Sequence, residues 1–143
     1  MKLEILATTA LLSIICCSTP VKAENSADVR QLLETGECAG CDLTGANLSG
    51  AHLIGADLRN ANLHSAILVN ANLEGADLTG ANLNEANLTG AFVSGTSLNN
   101  ANLTNVNFSD AQLYSADVVG ATLTGINLSG AKLFDTGINI GGE

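Results

Sequence analysis

The stretch from Cys41 to Ile140 repeats one five-residue phrase without interruption: Ala46-Asn47-Leu48-Ser49-Gly50, then Ala51-His52-Leu53-Ile54-Gly55, and onward in register. A period of five, with a small residue and then an apolar one two places on, fits neither regular element. On a helix, five steps of about 100° set successive leucines about 140° apart and smear them around the cylinder. On one continuous strand side chains alternate between faces, and because the period is odd, Leu48 and Leu53 would point in opposite directions. The chain must therefore turn once per pentad to keep every leucine inside. Ala46 and Leu48 then share the inner face while Asn47 between them meets water. Gly50, Gly55, Gly75, Gly80 and Gly90 stand at the corners, where turns of the type II family need a positive φ. Repeated corners of one hand make a solenoid.

These residues resemble the pentapeptide-repeat family, whose tandem A-[DN]-L-x-x units wind into a right-handed β-helix of square cross-section. The resemblance covers all 100 residues from Cys41 to Ile140, or 20 pentads. It implies an all-β solenoid, a right-handed quadrilateral β-helix of about five coils with four pentads in each. At about 4.8 Å per coil such a rod is roughly 24 Å tall. Val93, Phe108, Val118 and Ile138 replace the central leucine, and Cys41, Thr96, Val106, Ile126 and Thr136 replace the alanine. A buried threonine can return its hydroxyl to a nearby carbonyl. Val106, Phe108 and Ile126 enlarge one side near the C-terminal end, where the coil is expected to bulge. Burying a leucine contributes about 1.5–3 kcal/mol, whereas ordering five residues costs about 1–2 kcal/mol each. Hydrogen bonds and dispersion between coils must supply the rest, so the array needs several repeats.

Four segments follow from the pattern. Residues 1–23 read as a signal peptide: Lys2 precedes a mostly apolar run from Ile5 to Cys17, too short for a lasting span of about 20 residues, and Val21-Lys22-Ala23 offers a small-x-small cleavage site. Residues 24–40 form a short N-terminal capping helix and a cysteine clamp, residues 41–140 the repeat, and residues 141–143 a tail. For the helix, Asn25 or Ser26 suits the N-cap, Val29, Leu32 and Leu33 fall on one face, and Gly36 can end it. Its job would be to lid a first coil that otherwise exposes leucines and an unpaired strand edge. Without residues 1–23 the chain keeps Arg30, Arg59 and Lys132 against thirteen acidic residues, a formal charge of −10. That favours solubility and opposes direct binding to nucleic acid or to an anionic membrane.

Run backwards, the repeat register places Cys38 at a central position and Cys41 at a small inward one, both beneath the helix. In an oxidising compartment the reading is a Cys38 to Cys41 disulfide clamping cap to coil. A redox-active CxxC, for which the βαβ context is missing, and a zinc site, for which two further ligands are missing, are the alternatives. The phrase from Leu32 to Leu43 also resembles the entry to exported cyanobacterial members of the family, which implies the thylakoid lumen or the periplasm.

With four pentads per coil, residues twenty apart stack in columns. One is acidic, Asp57, Asp77 and Asp117 with Ser97 among them. Another wall gathers Ile54, Phe92, Tyr114 and Phe134 beside His52, a candidate interaction patch. Asn62, Asn82 and Asn102, and likewise Asn87, Asn107 and Asn127, form amide columns able to hydrogen-bond along the rod. No C-terminal helix follows the repeat, so Leu123, Leu128, Leu133 and Ile138 would be poorly covered. Either the tail crosses them or two rods meet end to end, and dimers through that end are familiar in the family.

No catalytic residues are expected. His52 and His64 fall on opposite walls with neither a nucleophile nor a metal-ligand partner near them, and the glycines are corners rather than a phosphate loop. No cofactor and no metal are assigned. The reading is a non-catalytic exported scaffold or protein-protein interaction module, a possible homodimer through its C-terminal coil, without a stable membrane anchor once the leader is removed. The alternative comes from the resemblance: an acidic rod that imitates duplex DNA and inhibits DNA gyrase or a related DNA-binding protein. The charge and the Asp column agree with it; an export signal and the short rod do not.

Overall fold

The computed structural model describes residues 26–138. The expected leader, residues 1–23, and the tail, residues 141–143, lie outside the described residues.

Each corner follows from local chemistry. From Gly40 to Asp135 every fifth residue has a positive φ, and the residue after the corner donates its N–H three residues back, as Ala46 does to the Leu43 carbonyl at 3.0 Å. That bond, with positive φ at the third residue, is the pattern of a type II turn. Glycine takes this φ freely. Asparagine and aspartate tolerate it at Asn60, Asn70, Asn100, Asn105, Asp110 and Asp135, while Ser65, Glu85 and Ser115 hold it against a steric cost.

Between corners the chain is extended just long enough to pair once with the coil on each side. Asp57 donates its N–H to the Gly36 carbonyl at 2.8 Å and accepts from the Cys38 N–H at 2.8 Å. This parallel pairing recurs at a constant separation of twenty residues, from Glu37 with Asp57 to Asn107 with Asn127. Among the described residues it widens into short strands only at β1 (Gln112–Tyr114) and β2 (Lys132–Phe134), paired in parallel register. The ladder thus begins at Glu37, inside the segment assigned above to the cap and clamp. It also runs unbroken past Val106 and Phe108, both wholly buried. The expected bulge does not interrupt the pairing, because the larger side chains pack inward without adding a residue to the coil.

Inside, alanines and leucines form one continuous apolar column from Cys38 to Val118. Thr96, the one buried polar residue among the described residues, donates its Oγ1 hydrogen to the Leu73 carbonyl at 2.7 Å. Helix α1 (Ser26–Thr35) joins the same core through Leu32, with Val29 partly buried against it. Its Leu32 is buried, and Leu43, Leu48 and Leu53 of the first coil are each 1% exposed. Gly36 ends it with φ 73° and a 2.9 Å bond to the Leu32 carbonyl. Leu33, expected on the inner face, is 55% exposed. A helix lying across a single ring of side chains touches it along a narrow stripe, here Val29 and Leu32, and Leu33 falls outside that stripe.

At the other end, Leu123, Ile126, Leu128 and Leu133 are only partly buried against the core. Ile138 departs from the expectation for this end. It is 8% exposed, closing the last coil beside Val118.

Candidate interaction surfaces

The outward positions fall on four walls, and the pairing by twenty fixes who stands beside whom. On the first wall Glu37, Asp57, Asp77, Ser97 and Asp117 form one bridged column. Each aspartate also serves the turn beside it. The Oδ1 atoms of Asp57, Asp77 and Asp117 accept the N–H groups of Arg59, Thr79 and Val119 at 3.2, 3.0 and 3.2 Å. Asparagines at the same pentad position do the same, as Asn82 does for Asn84 at 3.2 Å. The aspartate or asparagine of the repeat is thus a turn cap, which explains its recurrence without any ligand.

Arg59 forks onto Asp57 through Nε at 2.8 Å and Nη2 at 2.5 Å, and its Nε lies 3.9 Å from Asp77. The side-chain hydrogen bonds from Arg59 hold the Asp57 carboxyl well below its ordinary range, at about 2, and raise the guanidinium further above its own. The acidic column is therefore not a bare stripe. A cation divides its lower half, and Ser97, bonded to Thr79 at 2.9 Å, interrupts the upper.

The other three walls hold amides and aromatics. Asn82 Nδ2 donates to Asn62 Oδ1 at 3.0 Å and Asn102 Nδ2 to Asn82 Oδ1 at 3.1 Å, an unbroken ladder. In the other amide column Asn127 donates to Asn107 at 3.0 Å, but Asn107 donates to Thr89 Oγ1 instead of to Asn87. His64 stands beside the first ladder with Nδ1 3.0 Å from the Asn84 carbonyl. His52 belongs to a different wall, bridged to Asn72 and, through it, to Phe92.

That wall carries the aromatic patch. Tyr114 of β1 sits directly beside Phe134 of β2, and Phe92 pairs with Gln112 two residues from Tyr114. The three are 38%, 72% and 42% exposed. Ile54, 62% exposed, shares the wall but not the cluster, since Glu74 and Ser94 stand between it and Tyr114 in the column of twenty. Glu74, Lys132 and Asp135 are exposed along this wall, so it carries charges of both signs and a formal charge of only −1 in a strongly acidic chain.

Three arrangements escape the repeat pattern. Glu37 forms the foot of the acidic column. Asp28 of α1 accepts the Asp42 N–H at 2.9 Å, tying helix to coil. Corner asparagines also lie under glycines: a Cβ at Gly80, Gly90, Gly120 or Gly125 would collide with Oδ1 of Asn60, Asn70, Asn100 or Asn105, one coil earlier. The signal was present in the sequence as residue pairs twenty apart, but legible only once the coil length was known.

Cys38 and Cys41 form a disulfide. Both belong to the first coil, so the bridge closes a corner of the solenoid instead of clamping helix to coil as expected. Among the described residues no group of histidine, cysteine and carboxylate side chains could hold a metal ion, and no helix is long and apolar enough to cross a membrane.

The fold and its walls define a class, a four-sided parallel β-solenoid built on a period of five. The chain matches the family described as Pentapeptide repeats (8 copies) at residues 41–80, 66–105, 81–118 and 94–130, and it belongs to that family. Its members fold as right-handed quadrilateral β-helices and are generally non-enzymatic structural or interaction modules. The chain is similar to the pentapeptide repeat protein alr5209 from Nostoc Pcc 7120, with 30% identity, a TM-score of 0.62, and coverage of 73% of this chain and 94% of that one. It is also similar to the pentapeptide repeat protein Rfr23 from the cyanobacterium Cyanothece 51142, with 29% identity, a TM-score of 0.51, and coverage of 78% and 97%. A pentapeptide repeat protein from the Arabidopsis thaliana thylakoid lumen, AT2G44920, is 32% identical at a TM-score of 0.40, covering 73% and 70%. No curated protein sequence matches the chain.

Proposed function

We propose that this protein is a non-catalytic scaffold, exported to the thylakoid lumen or the periplasm, that meets a protein partner through the wall bearing Phe92, Tyr114 and Phe134. The reading takes the rod as about five coils, lidded at its N-terminal end by α1. One observation carries it. Three aromatic side chains, exposed and on consecutive coils, stand on a wall of mixed, nearly cancelling charge in an otherwise acidic chain. An apolar cluster on a rigid wall favours desolvation by a partner, and rim charges of both signs do not oppose it. Ile54 marks the far end of the same wall.

The test is affinity capture from the native compartment, with wild type beside the Phe92→Ser, Tyr114→Ser, Phe134→Ser triple variant. A partner retained by wild type and lost by the variant supports the reading; equal capture rejects the wall. Fractionation of cells checks export, with cytoplasmic protein counting against it. The half-buried leucines of the last coil support homodimers through the C-terminal end, and a monomeric mass at micromolar concentration rejects them.

The net negative charge and the acidic column support the alternative, imitation of duplex DNA. Arg59 and Ser97 break that column, and its aspartates are occupied as turn caps. A gyrase supercoiling assay decides: potent inhibition by a cytoplasmic protein would overturn the scaffold reading.

A further inference from the structure

The surroundings of the Cys38–Cys41 disulfide also suit the reduced pair. Cys38 is wholly buried, and its Sγ lies 3.4 Å from the Asp28 carbonyl oxygen of α1. In the disulfide this sulfur bears no hydrogen, so the two atoms touch without a hydrogen bond. On reduction the new thiol hydrogen meets an acceptor already in place, and no buried polar group is left unsatisfied. Cys41 is only half-buried where Cys38 is wholly buried, so it is the more accessible residue of the pair. The same corner anchors the helix: the Asp42 N–H bonds Asp28 Oδ2 at 2.9 Å, and Gln31 Nε2 donates to the Glu37 carbonyl at 2.7 Å.

We propose that Cys38 and Cys41 form a reversible dithiol–disulfide site, reduced by an external dithiol, whose oxidation state sets how firmly α1 covers the first coil. The incoming thiolate attacks Cys41 Sγ, because the Cys38 sulfur is enclosed. The Cys38–Cys41 bond breaks, Cys38 leaves as a thiolate and takes a proton from solvent, and the reductant is joined to Cys41. The second thiol of the reductant, deprotonated, then attacks the reductant's own bonded sulfur, closing its ring and releasing Cys41 as a thiolate. Two electrons pass from the dithiol to the cystine. Opening the ring Cys38-Ala39-Gly40-Cys41 frees the corner that presents the Asp42 N–H to Asp28. Since Leu32 of α1 is buried in the core with Val29 against it, a loosened helix uncovers apolar surface at this end. Without the βαβ setting of a dithiol oxidoreductase, the pair acts as a substrate for reduction and not as a catalyst of it.

The test uses the folded full chain, oxidised and after dithiothreitol without denaturant. Alkylation is read by peptide mapping, which separates Cys38 and Cys41 from Cys16 and Cys17. Hydrogen exchange is followed in α1 and in residues 57–118. We expect both thiols to appear under native conditions and to pair again on reoxidation. Exchange in α1 should rise about tenfold on reduction while residues 57–118, which report an intact solenoid, stay unchanged. In single variants, Cys41 of Cys38→Ser should be alkylated at least tenfold faster than Cys38 of Cys41→Ser. A disulfide that yields to dithiothreitol only after unfolding, or equal α1 exchange in both states, overturns the proposal. These wild-type measurements stand even if a variant misfolds.

Discussion

The two ends of the solenoid solve the same problem differently. At the first coil the inward leucines are as dry as those in the middle of the rod; Leu32 of α1 is buried in the same core, and Asp28 ties the helix to the coil. At the last coil Leu123, Leu128 and Leu133 keep part of their surface, and only Ile138 folds down beside Val118. A repeat buries its apolar side chains against the next repeat, so an end is finished only by something that does not repeat. The N-terminal end has such an element among the described residues. Among the described residues the C-terminal end has none, and its leucines are only partly buried.

The largest expected effect tests this directly. Leu48→Ala, under the lid, should lower stability by about 3 kcal/mol, whereas Leu128→Ala at the open end should cost about 1 kcal/mol, because its side chain is already partly in water. Denaturant titration with an unchanged slope measures both, and equal losses would erase the contrast between the ends. Next comes the lid itself. Leu32→Ala should cost about 2 kcal/mol and speed hydrogen exchange in α1 and the first coil only; a uniform rise along the rod would show that the lid is not a local device.

A third pair cuts across the comparison. Gly50→Ala meets open space and should lose about 1 kcal/mol to its positive φ, while Gly130→Ala also forces a Cβ against Asp110 Oδ1 and should lose more despite lying at the looser end. Thermal melts rank them, and the reverse order would show that end fraying, not corner geometry, governs the cost.

The smallest effect concerns pH. Asp57 has a carboxyl held down at about 2 by Arg59, so its folded value lies below the unfolded one. Its contribution is present above about pH 4 and fades as pH falls from there toward about 2. Arg59→Gln should flatten that part of the profile of melting temperature against pH, with little change near pH 7. An identical acid limb in both proteins would remove the pair from the account.

Much of this was legible in the chain. The leucine at every fifth position required a turn per pentad, and Thr96 was readable as a buried hydroxyl returned to a carbonyl because its neighbours in the pattern are inward alanines. The patch was legible less well. Phe92, Tyr114 and Phe134 do come together, but Ile54 stands apart behind Glu74 and Ser94, and neither the Arg59 fork nor the Asn60 and Gly80 stack follows from a pentad considered alone. Leu33 misled because helical spacing marks a broad face, whereas the contact with one coil is narrow.

The sequence by itself determined which side chains point inward and where the backbone must bend, since an odd period cannot keep leucines on one side of any straight element. Through the resemblance it also set residues twenty apart in columns and a helix at the N-terminal end; only the tertiary structure decided which column neighbours bond, which stripe of α1 is buried and that the cystine closes a corner. Those facts depend on hydrogen bonds between residues twenty apart and on a helix meeting a ring of side chains, and no local pattern of five residues contains either distance.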